Sequence, residues 1–254
     1  DELRRCISEG FEGFELYFQP IYNTDDDSLS GAEALIRWNS RKYGFIGPNT
    51  FIPLLEDSAL IIPLGRWIIN TAAKACNRWI TSIPNFVMHI NLSFVQIVKS
   101  NIVKDVLENI ERYSAANNHY VFEITETIEM DQIPAVQNVF KEFVKNEFRF
   151  AIDDFGTGYS NYGYMRDRTF DIVKVDRSFV TDIDKLKDNY LMVSFIIKMA
   201  HEMGLHVCIE GVETKEELSC VKKLGADYIQ GYYYGKPVCL QDFEEQHLKR
   251  FVLG

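Results

Sequence analysis

The stretch that decides the fold is Phe14–Arg37, FELYFQPIYNTDDDSLSGAEALIR. Two apolar runs, Phe14–Tyr22 and Leu29–Arg37, flank the polar turn Asn23-Thr24-Asp25-Asp26-Asp27-Ser28. Parallel neighbours need a connection of about a dozen residues or more, so this turn predicts an antiparallel hairpin. Further strand-like runs follow at Val87–Leu92, Val121–Thr125, Arg149–Asp153, Ile172–Val175, His206–Ile209 and Tyr228–Ile229. Helical segments fill the gaps after the second run, and strands alternating with helices imply a parallel sheet. Eight such runs in 254 residues predict an α/β fold. The expected form is a modified TIM-type (β/α)8 barrel with an antiparallel first strand.

Helix signals agree. Pro63 fits a first helical turn ahead of the stripe Trp67, Ile68, Ala72, Ala75 and Trp79. Ser93-Phe94-Val95-Gln96 and Thr214-Lys215-Glu216-Glu217 read as capping boxes, and Gly225 as a helix stop. Apolar stripes at Val103, Val106, Leu107, Ile110, Tyr113 and at Val136, Val139, Phe140, Phe143, Val144 read as packing faces. The Asp25–Asp27 run reads as a solvated turn, because it lacks the Gly and terminal Glu of an EF-hand loop.

A hydrophobic content of 46% in 254 residues is ample for one core. Residues 1–254 read as a single domain, with residues 1–13 a leading helix or linker from a longer protein. No run of eighteen apolar residues or secretion signal is present, which predicts a cytoplasmic domain. Any membrane anchor of a longer protein would lie in segments outside this sequence. The net charge of −10 and the lack of a basic run argue against DNA or RNA duplex binding. An anionic small substrate remains compatible if bound cations reverse the local sign. The five cysteines form no CxxC pair and read as reduced thiols.

Polar residues recur at the ends of the apolar runs: Glu33, Asn91, Glu123, Asp153, Lys174, Glu210 and Gln230. In barrels, strand C-termini are where catalytic residues gather. Alternation along a strand puts Val121, Glu123 and Thr125 on one face, and groups His89 with Asn91, Ala151 with Asp153, and Cys208 with Glu210. Inward carboxylates need cations, and an oxygen-rich set with an amide suits Mg²⁺ or Mn²⁺. Asp153-Asp154 fits a two-metal site for in-line phosphoryl displacement, or alternatively a polar turn with one Asp as a helix cap. Lys174 fits a water-holding ammonium or an ion pair with Asp176 or a neighbouring strand. Arg37 fits a phosphate fork or a salt bridge, and Gln230 a water-positioning amide or a backbone partner. The five histidines form no HExxH signature and read as structural or surface residues. Gly231–Pro237 is one residue too short for a P-loop, with Pro where Ser or Thr is required, and no GxSxG elbow occurs.

These motifs resemble the EAL domain family of cyclic di-GMP phosphodiesterases, from about Phe14 to about Pro237. The resemblance rests on Tyr17-Phe18-Gln19-Pro20-Ile21, on Glu33-Ala34-Leu35 with Arg37-Trp38, and on Phe51-Ile52-Pro53 with Glu56. It rests also on Asp153-Asp154-Phe155-Gly156-Thr157-Gly158-Tyr159-Ser160. Leu55 and Asn161–Met165 depart from the family pattern. The resemblance implies hydrolysis of cyclic di-GMP to linear 5′-pGpG with two Mg²⁺ or Mn²⁺ ions. Glu33, Asn91, Glu123 and Asp153 would hold one ion, and Asp153 with Asp154 the other. Lys174 would contact the nucleophilic water, Glu210 would position water or act as base, and Gln230 would support the site. Glu126 would tether the glycine loop, and Arg37 would bind a phosphate. Gln19, Asp176, Glu213 and Tyr232 are further substrate-binding candidates. A homodimer and regulatory domains in a longer protein are implied in the same way. The rival readings are a catalytically silent cyclic di-GMP receptor and a barrel phosphodiesterase for another diester.

Overall fold

A computed structural model describes residues 1–125, 134–157 and 169–249. Glu126 and the glycine loop beyond Thr157 fall outside the described residues, so their expected roles have no structural counterpart here.

The chain opens with helix α1 (Glu2–Ser8) and then forms strands β1 (Phe14–Asn23) and β2 (Leu29–Ser40). These two are antiparallel over their length, with Phe14 opposite Trp38 and Gln19 opposite Glu33, as the short turn requires. After strand β3 (Gly44–Ile46) come helices α2 (Pro48–Asp57) and α3 (Ile61–Trp79). Strand β4 (Val87–Asn91), helices α4 (Phe94–Lys99) and α5 (Ile102–Ile110), strand β5 (Tyr120–Thr125) and helix α6 (Pro134–Lys145) follow. Strands β6 (Arg149–Phe155) and β7 (Ile172–Val175) lead to helix α7 (Lys187–Glu202), strand β8 (His206–Glu210) and helix α8 (Lys215–Leu224). Strands β9 (Tyr228–Gln230) and β10 (Val238–Cys239) and helix α9 (Leu240–Phe243) follow, and a π-helical turn (Glu244–Leu248) comes last among the described residues.

Strands β2, β4, β5, β6, β7, β8 and β9 are successively parallel, and β1 closes the ring by pairing antiparallel with both β2 and β9. The result is the expected eight-stranded barrel with a reversed first strand. Strands β3 and β10 are short antiparallel additions to β2 and β1 outside the ring. The sequence pattern passes over them because runs of three and two residues carry no measurable alternation.

Strand alternation splits the barrel interior into two levels. Ile21, Val121, Ala151, Ile172 and Cys208 form a buried apolar plug, with Val87 and Tyr228 packed against it. Two residues further along the parallel strands, the inward positions become His89, Glu123, Asp153, Lys174, Glu210 and Gln230. The outward faces of the same strands join the helices in one large apolar core. Trp79 of α3 sits in that core with its ring 4.9 Å from Phe18, 5.3 Å from Phe86 and 4.6 Å from Phe243. Its indole N–H donates to Glu244 at 2.9 Å, so the last described helical turn is fastened over β1.

Both capping boxes form at Ser93 and Thr214, and Gly225 ends α8 in the left-handed region with φ of 81°. Pro63 lies in the first turn of α3, which begins at Ile61. Two stripe members differ from expectation. Tyr113 lies past the end of α5 at Ile110, and Val144 is exposed on α6. The Asp turn is more than a solvated loop, because Asp27 pairs with Lys222 at 2.7 Å and accepts the Tyr234 hydroxyl. All five cysteines are free. Among the described residues no helix is long and apolar enough to cross a membrane.

Candidate active site

The polar level of the barrel is organised around Lys174, which is only 1% exposed. A lone buried ammonium is costly, and carboxylates from four different strands surround this one. Its Nζ lies 2.7 Å from Glu123 Oε2, 2.8 Å from Glu210 Oε1 and 3.3 Å from both Glu33 Oε2 and Asp153 Oδ1. Of the two readings of Lys174, the ion pair is therefore made with neighbouring strands and not with Asp176. Asp176 instead caps the 3-10 turn Arg177–Phe179 through Ser178 N–H at 2.9 Å.

Each flanking group is held by its strand register. Glu33 Oε1 accepts from Asn91 Nδ2 at 2.6 Å, and Glu33 Oε2 accepts from Gln230 Nε2 at 2.6 Å. Gln230 Nε2 also reaches Gln19 Oε1 at 3.1 Å, and Gln19 Nε2 donates to Gly235 O at 3.3 Å. Gln230 thus faces side chains and not the backbone partner considered from sequence. Glu123 Oε1 is 2.7 Å from His89 Nδ1, a contact that sequence reasoning missed when it set the histidines aside. The signal that could have found it was the shared face of His89 and Asn91.

Adjacent residues on a regular strand point to opposite faces, so Asp153 and Asp154 cannot both face one site in ideal β geometry. The structure resolves this with a register irregularity between Ile152 and Phe155, where β6 pairs with β7. Asp154 adopts the left-handed region with φ of 54°, a conformation that Asp tolerates better than most residues. Its carbonyl then accepts from the backbone N–H and the hydroxyl of Thr157 at 3.2 and 2.9 Å. The outcome is a trio: oxygens of Asp153, Asp154 and Glu210 lie within 4.8 Å of one another. Glu210 therefore joins the pair that sequence had grouped for a second ion. Gly211, directly after it, has φ of 73°, and a Cβ there would fall 2.2 Å from Arg177 Cβ.

Electrostatics show a surplus of negative charge. Burial would raise the Glu33 carboxyl, yet Lys174 and the amides of Gln230 and Asn91 hold it down at about 2. Burial and the charges of Glu33, Asp153 and Glu210 push Glu123 well above the usual carboxylate range. Burial lifts Glu210 to about 8 despite Lys174. Asp154 is raised by burial and by the charge of Asp153. Burial works against the Lys174 ammonium, but its carboxylate ring pushes it well above the ordinary lysine value. One ammonium facing four carboxylates leaves them short of positive charge.

These residues fit a cation on three further observations. Glu33 Oε2 and Glu123 Oε2 converge on one ammonium, at 3.3 and 2.7 Å from Lys174 Nζ, so two carboxylates share a single positive charge. Asp153 Oδ1 is buried and, although 3.3 Å from Lys174 Nζ, makes no hydrogen bond among the described residues. The donor set consists of carboxylates and one amide oxygen, the ligands of a hard divalent ion.

Above this floor lies a cavity of about 750 Å³, lined by Glu33, Arg37, Glu56, Asn91, Asp153 and Asp154 among others. Glu56 accepts the Ser93 hydroxyl at 2.6 Å. Arg37 makes no ion pair among the described residues. Its guanidinium carbon lies 5.6 Å from the Tyr17 ring centroid, and one N–H donates to Ile36 O at 2.9 Å. Tyr232 is half exposed beneath Lys236, 5.2 Å from its ring centroid. Glu213 is exposed, with its backbone N–H bound to Glu217.

Residues 1–237 match the EAL domain family. A relative from Escherichia coli K12, probable cyclic di-GMP phosphodiesterase PdeG, is 32% identical over 241 residues. The match covers 94% of this chain and 47% of that protein, so the chain spans about half of its relative. The EAL enzyme Bd1971, solved with cAMP and cyclic di-GMP bound, superposes with a TM-score of 0.87 at 34% identity, over 96% of this chain and 68% of that one. The PaMucR phosphodiesterase, solved as a c-di-GMP complex, gives a TM-score of 0.88 at 28% identity, over 96% of this chain and all of that one. The family match across nearly the whole length, on a barrel whose mouth gathers the residues of its signature motifs, makes this chain a member of the EAL domain family.

Proposed function

We propose that this chain hydrolyses cyclic di-GMP to linear 5′-pGpG with two divalent cations, Mg²⁺ or Mn²⁺. The observation that carries the reading is the carboxylate ring around Lys174 at the floor of a cavity that Arg37 lines. Family membership and relatives named for this reaction support it. Glu33, Asn91, Glu123 and Asp153 would hold one cation, and Asp153 with Asp154 the second, with Glu210 beside them. Cations held there would lower the pKa of water and offset charge on the attacking and leaving oxygens.

The chain's own groups supply the rest. Arg37 presents guanidinium N–H groups to a substrate phosphate. Lys174 keeps a proton-rich nitrogen against Asp153 and Glu210, where it orients the attacking water and opposes developing negative charge. Glu210 converges with Asp153 and Asp154 and lies 2.8 Å from Lys174, where it positions the attacking water or takes its proton. Gln230 holds the Glu33 carboxylate, and Gln19 in turn accepts from the Gln230 amide. Tyr232 offers a ring to a base, while Asp176 and Glu213 border the mouth from the loops after β7 and β8. Water adds across one P–O3′ bond: its oxygen joins phosphorus, the P–O3′ bond breaks, and a proton passes to the 3′ oxygen. A homodimer, regulatory domains in a longer protein and a cytoplasmic setting complete the proposal.

The test is incubation of the chain with cyclic di-GMP and Mg²⁺ or Mn²⁺, with an EDTA control, followed by chromatography. Metal-dependent pGpG is the expected result. Intact dinucleotide that nevertheless binds would replace the enzyme with a receptor.

A further inference from the structure

We infer that His89 is a positioning residue that fixes the Glu123 carboxylate for cation binding; the inference rests on the cation-dependent function proposed above. His89 lies on β4 and Glu123 on the neighbouring β5, where His89 is registered with Val121 and Asn91 with Glu123. Both side chains point into the barrel, and they are 4% and 1% exposed. A buried imidazole is costly unless hydrogen-bonded, and this one meets Glu123 Oε1 at 2.7 Å. The apolar plug begins at the adjoining inward positions Val87 and Val121, so an aliphatic residue would suit the packing at position 89. The chain places a polar ring there instead, directly beneath a carboxylate.

The chemistry of the pair follows from the state a cation requires. An ionised carboxylate only accepts hydrogen bonds, so His89 carries its proton on Nδ1 and donates to Oε1. Lys174 binds the other oxygen, Oε2, at 2.7 Å. The two donors approach different oxygens and together set the plane of the carboxylate. Oε2 is then presented toward Lys174 and Glu33, the part of the lumen where the carboxylates converge. Without His89, Glu123 would be free to rotate against the ammonium. Partners that hold a ligating group from behind commonly contribute about 10- to 100-fold to metal affinity.

The test measures Mn²⁺ binding without substrate, by the loss of the free-ion electron paramagnetic resonance signal. It compares the unaltered chain with His89→Leu, which fills space without a donor, and His89→Asn, whose amide N–H replaces Nδ1. His89→Leu is expected to bind Mn²⁺ about 10- to 100-fold more weakly, and His89→Asn within about threefold of the unaltered chain. A folded His89→Leu with unchanged Mn²⁺ affinity would overturn the inference, as would a loss of equal size in His89→Asn. If His89→Leu does not fold, His89→Asn against His89→Gln decides, because Gln carries its donor farther out. Equal affinity in those two overturns the role, and a selective loss in Gln supports it. Failure of the unaltered chain to bind Mn²⁺ or to hydrolyse cyclic di-GMP strikes the parent reading, a different outcome from tight binding that ignores residue 89.

Discussion

Lys174 shows how one side chain organises a site from several strands. A buried ammonium and its carboxylates are mutually dependent, and removing one member leaves the rest uncompensated. Lys174→Met should therefore destabilise the cation-free chain by about 3–5 kcal/mol, measured by urea denaturation near neutral pH. The deficit should shrink in acid, where the carboxyls protonate, and on adding Mn²⁺. A variant as stable as the unaltered chain would show that the ring is not a coupled unit. Glu33→Ala should lower pGpG formation by at least about 100-fold, since even small misplacements at a reacting centre cost that much. Retained activity would remove Glu33 from the site. The sequence made most of these residues legible, because a charged or amide group at the end of a Val/Ile/Phe run has few structural uses. It left His89 obscure, because its role depends on a cross-strand register that periodicity alone does not reveal.

At the scale of elements, alternation and short turns carried the reading. All eight barrel strands lie where branched and aromatic residues cluster, and both capping boxes form. The Asp153-Asp154 irregularity was not legible, since the pattern shows two acids and not the backbone that lets them converge. The Asp27–Lys222 pair was hidden for a similar reason: its members are far apart in sequence. Two substitutions separate element stability from site geometry. Thr214→Ala removes the α8 cap and should cost about 1 kcal/mol in denaturant unfolding, leaving hydrolysis unchanged. Gly211→Ala forces a side chain into a left-handed residue against Arg177 and should displace Glu210, lowering activity as well as stability. A Gly211→Ala variant with full activity would show that this turn does not set Glu210.

For the whole molecule, the hairpin turn foretold a barrel with one reversed strand. The antiparallel pairing of β1 with β9 follows from the same reading, because a reversed strand in a closed ring is antiparallel to both neighbours. At the opposite end from the site, Asp227 bonds His201 and His206 at 2.9 and 3.2 Å and takes the Val207 N–H at 2.7 Å. Burial opposes the Asp227 charge, but these donors hold its carboxyl down at about 2, and Asp227 in turn raises His206. The carboxylate adds stability above its unfolded value of about 3.9, which is lost as pH falls through the folded value. The His206 contribution is complete below about 6.5 and fades as pH rises through its raised value. The stability gap between the unaltered chain and Asp227→Asn should therefore be widest from about pH 4 to 6.5. A gap independent of pH would exclude this linkage. The central claim, that the polar level of the barrel holds cations against a phosphodiester, is tested most directly by Mn²⁺ anomalous diffraction from crystals grown with cyclic di-GMP. The account predicts one Mn²⁺ peak among Glu33, Asn91, Glu123 and Asp153, a second at Asp153 and Asp154, and a phosphate facing Arg37. Occupied dinucleotide with no Mn²⁺ at these carboxylates would contradict it.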